Sequence, residues 1–182
     1  MGDGGALVVQ CRTTEALTPA QRSSVIDLCI AAHDIEDFRN LFTNVGNGRH
    51  FLGYQGAELV SHAVVTTRWA QPEGQRVLHT AYVDAVSTAP DRQGLGYGNA
   101  VMRRLAAGID DYELGCLQTD LRGFYEPLGW ELWRGALAGR SVDGLVPTPD
   151  QRGVMVLRLA QTPPLDPDTQ LTIEIQPLRI WE

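Results

Sequence analysis

Six residues, Gln93-Gly94-Leu95-Gly96-Tyr97-Gly98, constrain this chain more than any other stretch, because they stand between a strand-like run and a helix-like run. Upstream, Leu78–Ser87 is rich in residues that suit a pleated, half-buried surface. Downstream, Val101, Met102, Leu105, Ala106 and Ile109 recur at the spacing of an amphipathic helix. Glycines in such a turn let successive N–H groups point into one concavity, and the positive end of the following helix adds to the field there. A phosphate or pyrophosphate is the natural ligand. Taken alone, the pattern equally describes a tight strand-to-helix connection. No P-loop lysine accompanies it, and no acidic residue is well placed about 20 positions on, so nucleotide hydrolysis and dinucleotide binding both lose ground.

The rest of the chain reads as alternating elements without an internal repeat. Ala6–Cys11 is a first strand. Thr18-Pro19-Ala20-Gln21 has the form of a capping box with proline at the first helical position, and Val25, Leu28, Cys29 and Ala32 supply that helix with a buried face. His33–Gly48 turns polar and irregular and reads as a loop or broken helix. Strands follow at Phe51–Tyr54 and Leu59–Trp69, then at Leu78–Ser87. Beyond the glycine loop and its helix come a short strand at Leu114–Leu117, a short helix at Leu121–Leu128, and strands at Trp130–Trp133 and Val154–Leu159. Gly139–Asp150 between them reads as a loop, and Leu171–Ile175 as an edge strand.

Composition narrows the class. The 182 residues are 43% hydrophobic and 20% charged, enough to bury a core without disulfide or metal staples, and they read as one domain, 1–182. Fifteen Lys and Arg against 22 Asp and Glu give a net charge of −7, which argues against a nucleic-acid partner and suits a cationic ligand. No apolar stretch approaches the ~20 residues of a membrane span. Met1–Gly5 lacks the features of a secretory signal, so the expected compartment is the cytoplasm. Cys11, Cys29 and Cys116 are odd in number and widely spaced, and read as buried thiols. His33, His50, His62 and His79 show no metal-ligand spacing and read as structural, so no metal is expected.

The run from Tyr82 to Met102 resembles the acetyl-coenzyme-A site of the GCN5-related N-acetyltransferase (GNAT) superfamily, with Gln93, Gly96 and Gly98 on its Gln/Arg-x-x-Gly-x-Gly/Ala pattern. Gly123-Phe124-Tyr125-Glu126-Pro127-Leu128-Gly129-Trp130 resembles a second segment of the same superfamily. Within it, the chain is similar to the aminoglycoside 2′-N-acetyltransferases over nearly its full length, through Ala31–Ile35, Gly46–Gly48, Tyr82–Val86, Gly129–Gly135, Thr148–Asp150 and Trp181. The family has Glu where this chain has Asp84. Leu41 falls near its second acidic contact, with Asp37 as the candidate substitute.

The resemblance implies an α/β (α+β) fold, a mixed central sheet of about seven strands flanked by helices. It also implies acetyl transfer from acetyl-coenzyme A to a 2′-amine, with coenzyme A as product. Val86, Ser87, Arg92, Gln93, Gly94, Leu95, Gly96, Tyr97 and Gly98 would hold the cofactor. Tyr125 would protonate the departing thiolate. Asp84 is either the base, acting through water, or a ligand of the substrate ammonium. Asp34, Asp37, Asp84, Asp150 and the carboxylate of Glu182 would accept from the amines and hydroxyls of an aminoglycoside such as kasugamycin, with Trp181 offering a ring face. Direct transfer is expected, because no base is visibly paired with Cys116. Two other readings stay open: a relative acetylating a peptide N-terminus or polyamine, and a non-catalytic acyl-coenzyme-A sensor. Homodimerisation is left open as well.

Overall fold

The computed structural model describes residues 6–177, 180 and 181. Its strands hydrogen-bond in the order β6 (Glu131–Leu132), β9 (Val154–Arg158), β5 (Leu114–Gln118), β4 (Leu78–Thr88), β3 (Glu58–Pro72), β10 (Leu171–Glu174), β7 (Leu137–Ser141) and β8 (Gly144–Pro147), with β1 (Val8–Thr13) on β2 (Arg49–Gln55) and β2 on β3. Ten strands are therefore present among the described residues, against the expected seven. The chain divides into two compact units, Met1–Thr66 with Asp84–Gly108, and Thr67–Val83 with Ile109–Glu182. The long strands β3 (Glu58–Pro72) and β4 (Leu78–Thr88) run through both.

In the first unit, β1 (Val8–Thr13) pairs antiparallel with β2 (Arg49–Gln55), and β2 pairs antiparallel with β3. Helix α1 (Pro19–His33) begins as its sequence dictates. The Thr18 hydroxyl accepts from Gln21 N–H at 3.2 Å, the Gln21 side chain accepts from Thr18 N–H at 3.0 Å, and Pro19 occupies the first turn, where no N–H partner is required. It ends at Asp34, which takes a left-handed φ of 56°. The irregular stretch that follows is a 3₁₀ turn, Glu36–Asn40, and one helical turn, α2 (Leu41–Val45). Val25 and Cys29 of α1 pack with Leu17, Leu41 and Leu52, all nearly sealed from solvent. Helix α3 (Tyr97–Ala106) approaches β2 closely at Gly53, where a methyl group would sit 2.9 Å from Val101 Cγ2, so only glycine lets the helix in.

In the second unit, β4 pairs parallel with β5 (Leu114–Gln118), and β5 pairs antiparallel with β9 (Val154–Arg158), which carries β6 (Glu131–Leu132). Helix α4 (Arg122–Tyr125) and a 3₁₀ turn, Glu126–Leu128, fill the place of the expected short helix. Two expectations are corrected. Gly139–Asp150 is no loop: β7 (Leu137–Ser141) and β8 (Gly144–Pro147) form a hairpin about Val142-Asp143. Nor is the last strand an edge. β10 (Leu171–Glu174) lies between β3 and β7, antiparallel to the first and parallel to the second, and its Leu171 and Ile173 are fully buried.

Candidate active site

The glycine loop leads directly into α3, and its backbone explains its composition. Gly94 and Gly96 have φ of 75° and 84°, where a side chain is strained, and a Cβ at either would meet no atom within 4 Å. The space in front of them is open. Gly96 caps α3 without any side chain accepting from the first N–H groups, which leaves those donors for a ligand. This donor set fits a pyrophosphate. Gln93 Nε2 donates to Thr88 O at 3.3 Å, closing the turn, and Leu95 is 60% exposed. Arg92 pairs with Asp91 at 3.0 Å and with Glu58 at 3.5 Å, while its Nε is buried without a partner. Tyr97 is half-buried and Gly98 buried.

The strand entering this loop is interrupted. Ala85 has φ of 49°, and with Asp84 and Val86 it is half-buried. Its carbonyl is held from two sides: His62 Nδ1 lies at 3.0 Å and Ser87 Oγ at 3.2 Å. A carbonyl only accepts, so His62 carries its proton on Nδ1 and Nε2 accepts from His50 Nδ1 at 3.0 Å. His50 Nε2 in turn accepts from the Thr14 hydroxyl at 3.0 Å, whose oxygen accepts from Gly48 N–H at 2.8 Å. Every link of this chain is satisfied with both rings neutral. Desolvation enforces that state, holding His50 down to about 4 and His62 to about 3, with Arg22 adding to the effect at His50 and His50 adding to it at His62. Ser87 is 2% exposed, and its hydroxyl reaches Cys29 Sγ at 3.3 Å and His33 Nε2 at 3.0 Å. Burial pushes the Cys29 thiol up to about 11, so it is an inert thiol rather than a nucleophile. Desolvation holds His33 below its usual 6.5, against an opposing hydrogen bond to the Val86 backbone.

Of the expected substrate contacts in the first unit, Asp34 is the exposed left-handed cap of α1. Asp37 is exposed and accepts from Asn40 Nδ2 at 2.9 Å and Asn44 Nδ2 at 3.4 Å. Both are on the polar segment that follows α1.

In the second unit, Tyr125 is 7% exposed, with edge-on contacts to Phe124 and Trp130. Burial pushes its phenol up to about 12, partly offset by a hydrogen bond with Thr119, so the proton is held firmly at neutral pH. Asp150 lines a cavity of about 580 Å³ together with Gln118, Asp120, Thr148, Gln151 and Arg152. The Arg152 guanidinium is turned onto its own loop, donating to Pro149 O at 2.5 Å and Gln151 O at 2.8 Å, so the lining carries two carboxylates against one guanidinium. The structure differs from expectation at Trp181. The indole is 1% exposed within the core around Tyr82, Leu114 and Ile173, its N–H donates to Thr148 Oγ1 at 3.1 Å, and the Tyr82 hydroxyl donates to its carbonyl. It presents no open ring face, because burying so large an aromatic surface is worth more to the core than leaving it wet. Glu182 lies outside the described residues.

Sequence reasoning missed two groups here. One is the buried histidine chain, whose members are far apart in sequence and meet only through the β2–β3 register, which sets His50 opposite Val64 and His62 opposite Leu52. The other is Asp120, which follows β5 and joins Asp150 at the cavity only through folding. Among the described residues no group of three or more His, Cys, Asp or Glu is placed to hold a metal ion, and no helix is long and apolar enough to cross a membrane.

Comparison with known proteins agrees with this arrangement. The chain is similar to an aminoglycoside 2′-N-acetyltransferase of Mycolicibacterium fortuitum, 29% identical over 143 residues that cover 75% of this chain and 72% of that protein. Its fold is similar to a GNAT family N-acetyltransferase of Escherichia coli solved in complex with CoA, with a TM-score of 0.66, 13% identity and coverage of 97% and 94% of the two chains. It is similar also to a GCN5-related N-acetyltransferase of Kribbella flavida, with a TM-score of 0.55 and 23% identity over 70% of this chain, which spans about a third (34%) of that longer protein. Residues 17–133 match the model described as an acetyltransferase (GNAT) domain, and with the glycine loop and interrupted strand that this stretch contains, the chain belongs to the GNAT acetyltransferase family.

Proposed function

We propose that this protein transfers an acetyl group from acetyl-coenzyme A to the 2′-amine of an aminoglycoside, by direct attack. The observation that carries the substrate class is the cavity bearing Asp120 and Asp150, two carboxylates against the single guanidinium of Arg152, with Gln118, Thr148 and Gln151 beside them to bond the ammonium and hydroxyl groups of a cationic sugar. When bound, acetyl-coenzyme A supplies the activated acetyl thioester. In the first unit, the N–H groups of the Gly94–Gly98 turn and the α3 N-terminus hold its pyrophosphate, and Asp84 binds the substrate ammonium. In the second, Tyr125 holds a proton at neutral pH that it can share with the departing sulfur. Cys116 is fully buried in β5, which supports transfer without an acyl-enzyme.

The test is a turnover screen of acetyl-coenzyme A with kasugamycin, gentamicin, tobramycin and a 2′-hydroxy aminoglycoside, with peptide N-termini and polyamines alongside. The expected product carries one acetyl group on the 2′ nitrogen, initial-rate lines intersect, and the 2′-hydroxy compound is not turned over. Acetylation confined to a peptide or polyamine, or parallel lines with an inactive Cys116→Ala, overturns the reading.

A further inference from the structure

We infer that His33 is the base that takes the proton from the substrate ammonium, its ring held in place by Ser87; this rests on the acetyl-transfer reading above. His33 closes α1 immediately before the left-handed Asp34, and it is the one histidine of the first unit that reaches solvent, since His50 and His62 are both fully buried. Besides the hydrogen bond to the Val86 backbone, two contacts fix the imidazole. Its Nε2 is 3.0 Å from Ser87 Oγ, and its face stacks on Phe38, with centroids 5.1 Å apart and planes at 29°. The Ser87 hydroxyl has one proton and is placed to give it to the Ala85 carbonyl or the Cys29 sulfur. With its proton on either of these, its oxygen accepts from His33 Nε2, and the lone pair of His33 is on Nδ1.

Chemistry favours this group over Asp84. A carboxylate with a reference pKa of about 3.9 is a weak acceptor for an ammonium proton, whereas the best base titrates near the working pH. His33 is neutral at pH 7, with desolvation lowering its pKa and the Val86 backbone bond opposing that shift. The elements packed on it contribute the main chain of Val86 and the hydroxyl of Ser87 from β4, and the turn Glu36–Asn40, whose charges are Glu36, Asp37 and Arg39. Arg39 is paired with Glu36 at 2.7 Å, and Asp34 is next in the chain.

The step balances. One ammonium proton passes to His33 Nδ1 and then to solvent. The freed nitrogen lone pair forms the C–N bond to the acetyl carbon, the C–S bond breaks with its electrons on sulfur, and a second proton from the nitrogen ends on that sulfur. Amide, thiol and one released proton result.

The experiment is the pH dependence of kcat and KM for wild type and His33→Gln on whichever amine the screen identifies, with acetyl-coenzyme A affinity measured by calorimetry. Loss of a general base costs about 10²–10⁴ in rate. His33→Gln should therefore lose at least about 100-fold in kcat with acetyl-coenzyme A affinity nearly unchanged, and the acidic limb of the wild-type kcat profile should vanish. A kcat within about threefold of wild type, or an acidic limb that persists, overturns the role of His33 while leaving acetyl transfer intact. Wild-type enzyme inactive on every amine overturns both. Should His33→Gln not fold, NMR titration of His33 in wild-type protein decides: its pKa in the acetyl-coenzyme A complex must coincide with the acidic limb of kcat/KM for the amine, and a difference of more than about one unit sinks the proposal.

Discussion

The two units hold their buried polar groups by different means. In the first, the interior around Ala85 is organised by uncharged, directional hydrogen bonds: Gly48 to Thr14, His50, His62 and the Ala85 carbonyl, each donor matched to one acceptor. In the second, a full charge is buried. Arg68 is completely inaccessible, its Nε is 2.7 Å from Glu174, its Nη2 donates to the carbonyls of Glu174 and Ile180, and its plane covers the Tyr82 ring at 5.1 Å. Its Nη1 has no partner. The lesson concerns tolerance. A neutral chain fails gradually as its protonation state changes, whereas a buried ion fails at once when its counter-charge is removed.

The sharpest break of that contrast is Arg68→Ala. Removing one member of a buried pair leaves the other uncompensated and typically costs about 3–5 kcal/mol. Chemical denaturation should show the loss directly, and a cost under about 1 kcal/mol would mean that the pair contributes no more than a surface one.

Acid sharpens the comparison from the other side. Folded His50 and His62 titrate at about 4 and about 3, and histidine in the unfolded chain near 6.5. Below pH 6.5 the unfolded chain binds protons that the folded one refuses. The stability conferred by the neutral pair is therefore whole above 6.5 and drains away as the pH falls toward 4 and then 3. Urea midpoints at pH 7 and pH 4.5 should separate strongly in wild type and much less in a His50→Leu, His62→Phe double variant. Equal separation in both would show that other groups carry the acid sensitivity.

Next in size is Gly96→Val. A β-branched residue at φ of 84° costs about 1–3 kcal/mol in strain, and its side chain fills the open space before the loop. Acetyl-coenzyme A should bind at least about tenfold more weakly by calorimetry, with Leu95→Ala within about twofold of wild type. Unchanged affinity in Gly96→Val would remove the loop from the cofactor site. Smallest is Arg39→Ala. Arg39 and Glu36 are 66% and 71% exposed, and such pairs contribute well under 1 kcal/mol. A larger loss by thermal unfolding would show that the first unit depends on charge after all.

What was legible in the sequence was local. The Thr18/Gln21 box, the turn at Gly94 and Gly96 and the apolar faces of α1 and α3 follow from short-range backbone chemistry, and each appears where its residues place it, except that Ile109 is buried beyond the end of α3 at Ala106. The β7–β8 hairpin was hidden because Gly139, Gly144, Pro147 and Pro149 read as loop punctuation. The Asp143-Gly144 step was the available hairpin signal. The left-handed Ala85 carries no glycine to announce it: its conformation is imposed by tertiary hydrogen bonds from His62 and Ser87. For the same reason His33 looked merely structural, since its pairing with Ser87 spans 54 positions.

All four tryptophans, Trp69, Trp130, Trp133 and Trp181, fall in the second unit, and three are almost fully buried. Indole emission is consequently a dye for one half of the molecule and blind to the other, whereas His33, His50 and His62 give the first unit its own imidazole resonances. A denaturation followed by both signals yields a single curve only if the halves melt together. Two curves would identify each half's midpoint without any label.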